Sequence, residues 1–161
     1  MLRARASHCV RDEDYARFTR FYAARCRQFN SEYYLLDALL HLVSTLSETH
    51  ILLFDDDEGQ LIAFFQYKVE DDTAFIDSAM LSEHYRSSRV FYEGFRDVAR
   101  HILAEHKNIE TVQFYALADN LYLTRLYSKF ADKTGVRKGG FGLENIFVVK
   151  KEQLLKYLKI D

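Results

Sequence analysis

Apolar and polar positions alternate in some stretches of this chain and recur at helical spacing in others. Leu2 to Ala6 alternates and predicts a short edge strand. Asp12, Glu13 and Asp14 suit a helix N-terminus, and Tyr15, Phe18, Tyr22 and Cys26 then form one helical stripe. Asn30-Ser31 is a break and a candidate N-cap. Leu35, Leu36, Leu39, Leu40, Val43 and Leu46 give the next helix a wide apolar face, expected to be buried on more than one side.

Ile51 to Phe54 and Leu61 to Val69 read as strands of a hairpin whose tip is Asp55 to Gly59. Asp71-Asp72 makes a turn into a strand from Thr73 to Met80. By alternation, Asp77 shares a face with Phe75 and Ala79, and Ile76 and Ser78 share the other. A helix from about Ser88 to His106 turns Phe91, Phe95, Val98, Ile102 and Leu103 inward. A strand from Thr111 to Leu117 ends at Asp119-Asn120. A helix with Leu123, Leu126, Tyr127 and Phe130 on one face follows. Gly135 to Gly142 reads as loop or bulge, Leu143 to Val149 as a last strand and Glu152 to Leu158 as a last helix. Strand, helix, strand from Thr73 to Leu117 is a crossover unit with parallel strands and a right-handed connection. The expected fold is α/β (α+β): a mixed central sheet with helices on both faces, in a single domain over residues 1–161.

Composition changes this picture little. The 11 Tyr and 13 Phe supply core volume where Trp is absent. A formal charge of −2 argues against a nucleic-acid partner, despite Arg3, Arg5, Arg11, Arg20, Arg25 and Arg27 near the N-terminus. Cys9 and Cys26 fit reduced thiols in a cytoplasmic chain. No apolar run approaches the ~20 residues of a membrane helix, so no membrane partner is expected. The six His show no metal-ligand spacing, and the Asp55 to Glu58 run lacks the spacing of a calcium loop. No metal is expected.

The candidate chemistry lies at the carboxyl ends of the middle strands, where open α/β sheets bind ligands. Asn120 stands at such an end, and Tyr127 is two helical turns further on, on the same side. The pattern N-x-x-x-x-x-L-Y-x-K, carried by Asn120, Leu126, Tyr127 and Lys129, resembles the back half of the GCN5-related N-acetyltransferase (GNAT) superfamily. The order of segments also resembles it over nearly the whole chain. The resemblance implies acetyl-CoA as co-substrate and an amine acceptor, either a small molecule or a protein. It implies that Asn120 contacts coenzyme A and that Tyr127 protonates the leaving thiolate. It also implies that the strand 73–80 splays from the strand 111–117, so that the pantetheine pairs with backbone near Met80 and Leu81.

The family's pyrophosphate motif, [QR]-x-x-G-x-[GA], falls on Arg86-Ser87-Ser88-Arg89-Val90-Phe91. Arg86 matches, while Arg89 and Phe91 occupy the glycine positions. Ser87, Ser88 and Arg89 can bind phosphate through hydroxyl, backbone N–H and guanidinium. Equally, Ser88 can be a plain helix N-cap with Arg86 and Arg89 on the surface. Asp77 is the acidic residue on its strand and a candidate base, or else a surface carboxylate. Tyr127 is a candidate acid, or else a core aromatic.

An alternative function keeps the fold without catalysis, as a homo-oligomer or with an assembly partner. Degenerate acetyltransferase-like chains among bacteriophage accessory and virion proteins are similar in size, and that reading would make the chain virion-associated.

Overall fold

The computed structural model describes residues 4–28, 34–85, 88–139 and 142–161. Seven strands and five α-helices alternate along the chain. They are β1 (Arg5–His8), α1 (Asp12–Arg25), α2 (Leu35–Thr45), β2 (His50–Asp55), β3 (Leu61–Glu70), β4 (Thr73–Leu81) and α3 (Ser88–Glu105). After these come β5 (Thr111–Leu117), α4 (Leu121–Ser128), β6 (Asp132–Gly139), β7 (Gly142–Lys150) and α5 (Lys151–Leu158). The sheet order is β1-β2-β3-β4-β5-β7-β6. Among the described residues only β4 and β5 pair in parallel, across the crossover through α3. The other neighbours are antiparallel.

The sheet divides two cores. On one face Phe18, Phe21, Tyr22, Ala38 and Leu42 of α1 and α2 pack on Ile51, Leu53, Phe64 and Met80. On the other, Phe95, Val98 and Ile102 of α3, Tyr127 of α4 and Leu154 and Leu158 of α5 pack on Phe65, Ile76, Val112, Phe114 and Phe147. Rings carry this second core from strand to helix: Phe95 and Phe114 have centroids 5.3 Å apart, Phe114 and Tyr127 5.2 Å, and Phe130 and Tyr157 4.6 Å. The buried Gln66 of β3 is fully used. Its Nε2 donates to the hydroxyls of Thr45 and Thr49 at 3.0 and 2.8 Å, and its Oε1 accepts from Ser78 at 3.0 Å. That network ties the end of α2 to β3 and β4. Arg17 fastens α1 to β2 by donating to both oxygens of Asp55. The acidic hairpin tip is a turn because the Asp56 carboxylate accepts the N–H groups of Glu58 and Gln60, both at 2.9 Å, with Gly59 at φ +78°.

Three sequence expectations change. The segment expected as a loop from Gly135 holds most of a strand, β6, with a register shift between Lys133 and Gly135 that hides its alternation. Gly139 and Gly142 are paired across the connection, and Gly140-Phe141 lie outside the described residues. The break at Asn30-Ser31 also lies outside them. Second, α2 is covered on one side only. Ala38 and Leu42 are buried, whereas Leu36, Leu40 and Val43 are 67, 62 and 77% exposed, because only the α1 side of the helix meets the sheet. Third, the alternation of β4 is broken at Asp77. Gln66 pairs with Ser78 and Tyr67 with Ile76, so Asp77 is an extra residue. Ser78 and Met80 therefore join the α1/α2 face, and Ala79 and Leu81 turn toward α3.

Substituting Leu42→Ala is expected to cost about 2–5 kcal/mol by leaving a cavity. Leu40→Ala, on the bare side of the same helix, is expected to cost under about 0.5 kcal/mol. Urea midpoints of the two variants at equal slope check the difference.

Candidate functional site

Parallel pairing between β4 and β5 ends at Ile76 opposite Phe114, although β4 continues to Leu81 and β5 to Leu117. The strands thus form a fork. Its inner edges carry backbone groups that no neighbouring strand pairs. The extra residue Asp77 lies at the branch point, beside Tyr115 on β5. Both lie on the face away from α3: Phe75, two residues before Asp77, carries Lys68 over its ring at 5.6 Å, and Lys68 and Arg137 act on the Asp77 charge. Burial raises the Asp77 carboxyl above its usual value, and the cations Lys68 and Arg137 oppose that rise. Among the described residues Asp77 makes no hydrogen bond or ion pair, so its carboxylate is available to a ligand.

Tyr115 is held in place from two sides. Gln113 Nε2 donates to its hydroxyl at 2.8 Å. The Arg137 guanidinium lies 3.2 Å above its ring centroid. Arg137 is itself fixed, because Nε and Nη2 both donate to Glu144 Oε2, at 3.2 and 3.1 Å. Glu144 is buried beside Gly139, where an added Cβ would push its carboxylate out of its present place. Sequence reasoning missed Tyr115, Arg137 and Glu144. Alternation along β5 carries a signal for Tyr115, but Arg137 fell in an expected loop, where no face could be assigned.

On the other side of β5, Asn120 Oδ1 accepts the N–H of Leu123 at 3.1 Å and caps α4. That leaves its amide NH2 uncommitted. The Tyr127 ring is 4% exposed and wedged among Phe114, Phe130 and Phe147. Burial drives its hydroxyl pKa well above the ordinary tyrosine value, so the group stays protonated. Asn145 Nδ2 donates to Thr124 Oγ1 at 3.4 Å and ties α4 to β7.

The end of β4 and the start of α3 supply the remaining sequence-predicted residues. Met80, Leu81 and Arg89 come together on a cleft of about 1270 Å³, floored by Phe54, Ile62 and Phe65. This cleft lies on the β1–β3 flank of α3, whereas Asn120 and Tyr127 lie beyond β5. The structure therefore gathers the predicted residues into two groups on either side of the fork. Arg86 and Ser87 lie outside the described residues, and α3 begins at Ser88. Arg89 is exposed and pairs with Glu93 at 3.2 Å. Phe91 stacks on Phe95 at 6.1 Å and meets Phe65 at 6.5 Å, so its ring turns to the aromatic core. Among the described residues no group of three His, Cys, Asp or Glu is arranged to hold a metal ion. No described helix is long and apolar enough to cross a membrane.

No family model and no curated protein sequence matches the chain. Solved structures do. The ribosomal-protein-S18-alanine N-acetyltransferase of Escherichia coli superposes with a TM-score of 0.68 at 12% identity, over 92% of this chain and 94% of that one. The spermidine/spermine N-acetyltransferase of Vibrio cholerae gives 0.64 at 11% identity, over 97% and 96%. A GNAT family acetyltransferase from Elizabethkingia anophelis, with acetyl-CoA bound, gives 0.59 at 13% identity, over 68% and 80%. The likeness at this identity is one of fold: the chain has the mixed α/β fold of the GNAT acyltransferases.

The raised Asp77 carboxyl has a consequence for stability. The folded chain holds that proton more tightly than the unfolded chain, so ionising Asp77 costs folding free energy as pH rises through the raised value. Asp77→Asn removes the cost. The variant is expected to be more stable than the parent near neutral pH, with the difference closing as pH falls toward about 4. Denaturant titrations across that range check the sign.

Proposed function

We propose that the chain is an N-acetyltransferase that moves an acetyl group from acetyl-CoA to a primary amine. The observation that carries this reading is the fork, with unpaired edges on β4 and β5 and a carboxylate at its branch point. A solved neighbour of the same fold holds acetyl-CoA. The residues fit that co-substrate. The β4 edge leading up to Met80 offers backbone groups to the amides of a pantetheine arm. Among the described residues the Asn120 NH2 is free to donate, and the Arg89 guanidinium serves the phosphate end in place of glycines. The Phe91 ring stacks on Phe95 and forms part of the wall of the same cleft.

Acetyl-CoA supplies an acyl carbon activated as a thioester. Asp77 takes a proton from the acceptor ammonium, which frees the amine lone pair to form the new N–C bond. As the C–S bond breaks, Tyr127 gives its proton to the leaving sulfur. Burial raises the basicity of Asp77, and it keeps the Tyr127 proton in place until a thiolate forms.

A second reading is a scaffold of this fold without catalysis, such as a virion component. Arg89 and Phe91 in the glycine positions favour it, as does the bare leucine face of α2.

Thermal unfolding with and without acetyl-CoA separates the two readings. Acetyl-CoA at a hundred times its dissociation constant is expected to stabilise the fold by about 2.7 kcal/mol, a shift on the order of several degrees. No shift at millimolar acetyl-CoA would leave the scaffold reading. Tyr127→Phe is expected to lower turnover about 10²-fold or more while keeping that thermal shift. Undiminished thiol release by the variant would remove Tyr127 from the reaction.

A further inference from the structure

Resting on the acetyltransferase reading, we propose that the acceptor is a small amino carboxylate. Its ammonium lies against Asp77, and its carboxylate lies against the outer edge of the Arg137 guanidinium.

The argument starts from Arg137. A guanidinium carries five N–H donors in a planar fork. Two of these, on Nε and Nη2, are spent on a single oxygen of Glu144. The plane is also pinned by the Tyr115 ring, with 3.2 Å between Cζ and the centroid. A surface arginine that served only to neutralise Glu144 would not need both constraints. The side chain remains 39% exposed, and three N–H donors are left over. A guanidinium fixed in orientation with donors facing outward is a receptor for a carboxylate, because the ordering entropy of the side chain has already been lost on folding.

The second half of the receptor is one side chain away. Tyr115 occupies the β5 position next after the last β4–β5 pair, and Asp77 the corresponding β4 position. The ring therefore separates the Asp77 carboxylate from the Arg137 guanidinium, on one face of the sheet. The charges that act on Asp77 are Lys68, Arg137, Glu144 and Glu70. Lys68 is paired with Glu70 at 3.2 Å, and Arg137 with Glu144 at 3.1 Å. Asp77 is thus the acidic group without an ion-pair partner, and Arg137 is a cation with donors to spare. One negative and one positive site across a single aromatic ring match a zwitterion. They do not match a polyamine, whose further ammonium groups would meet Lys68 and Arg137. The same placement sets the acceptor nitrogen at the branch point of the fork, beside the carboxylate that takes its proton.

Titration calorimetry on the full chain tests this without acetyl-CoA. The probes are the free L-amino acids, the carboxamide of each and spermidine. At least one free amino acid is expected to bind ten-fold or more tighter than its amide. In Arg137→Leu that ratio is expected to fall to within two-fold. The double variant Arg137→Leu/Glu144→Leu leaves no buried carboxylate unpaired, and it should show the same loss. Equal binding of acid and amide, preference for spermidine, no binding by any amino acid, or an unchanged ratio in both variants would each overturn the proposal. The acetyl-CoA thermal shift is read separately. Its absence sinks the acetyltransferase reading, whereas its presence beside a failed calorimetric test sinks the amino-carboxylate acceptor alone.

Discussion

The extra residue at Asp77 governs the geometry on both faces of the sheet. Before it, Ala74 and Ile76 face α3. After it, the same face is taken by Ala79 and Leu81, while Ser78 and Met80 turn to α1 and α2. A bulge bends its strand and increases the local twist. It occurs where β4 stays paired with β3 to its end but parts from β5 after four pairs. The Gln66 network holds β4 to β3 beyond this point, so the divergence opens on the β5 side. Removing Asp77 would restore a strict alternation, with Ser78 still opposite Gln66, and would erase the bend along with the carboxylate at the branch point.

Burial acts on two ionisable groups in opposite senses for chemistry. It makes the Asp77 carboxylate a stronger base and the Tyr127 hydroxyl a more persistent acid reservoir. The surroundings differ in kind. Tyr127 is enclosed by Phe114, Phe130 and Phe147, which offer no charge to offset the desolvation. Asp77 is raised by burial, and Lys68 and Arg137 beside it limit the rise. One position is insulated and the other is electrostatically trimmed.

Most of this fold was legible in the sequence because its long elements are strongly periodic. The stripe of Phe95, Val98 and Ile102, the alternation of Val112, Phe114 and Ala116 and the hairpin signal at Asp56 to Gly59 each correspond to a formed element. The parallel pairing of β4 with β5 follows from the crossover alone. What escaped has common causes. Asp77 and the Lys133–Gly135 stretch are register shifts, which a strict period of two cannot represent. The leucines of α2 read as core, because hydrophobicity by itself does not say whether a partner surface exists. Asn120 was read as a ligand contact, and its oxygen is a helix cap. The two roles draw on the same side chain, and only its second polar group remains for a ligand. Arg137 was invisible, since its value depends on Tyr115 and Glu144, which are distant in sequence or on another strand.

An open seven-stranded sheet ordinarily has two edges, here β1 and β6. The fork adds two more, facing each other in the middle of the sheet. Outer edges invite another strand, which is the route to intermolecular pairing. The inner edges are poorly placed for that traffic, since a strand entering the fork would need width for side chains on both faces, where Tyr115 with its Arg137 lid stands on one and the helices stand on the other. They suit a thin, unbranched chain carrying a few amide groups, which can satisfy both rows without bringing a peptide's bulk. The sheet therefore stops pairing with itself at its centre while remaining closed to the strand that would most readily continue the ladder.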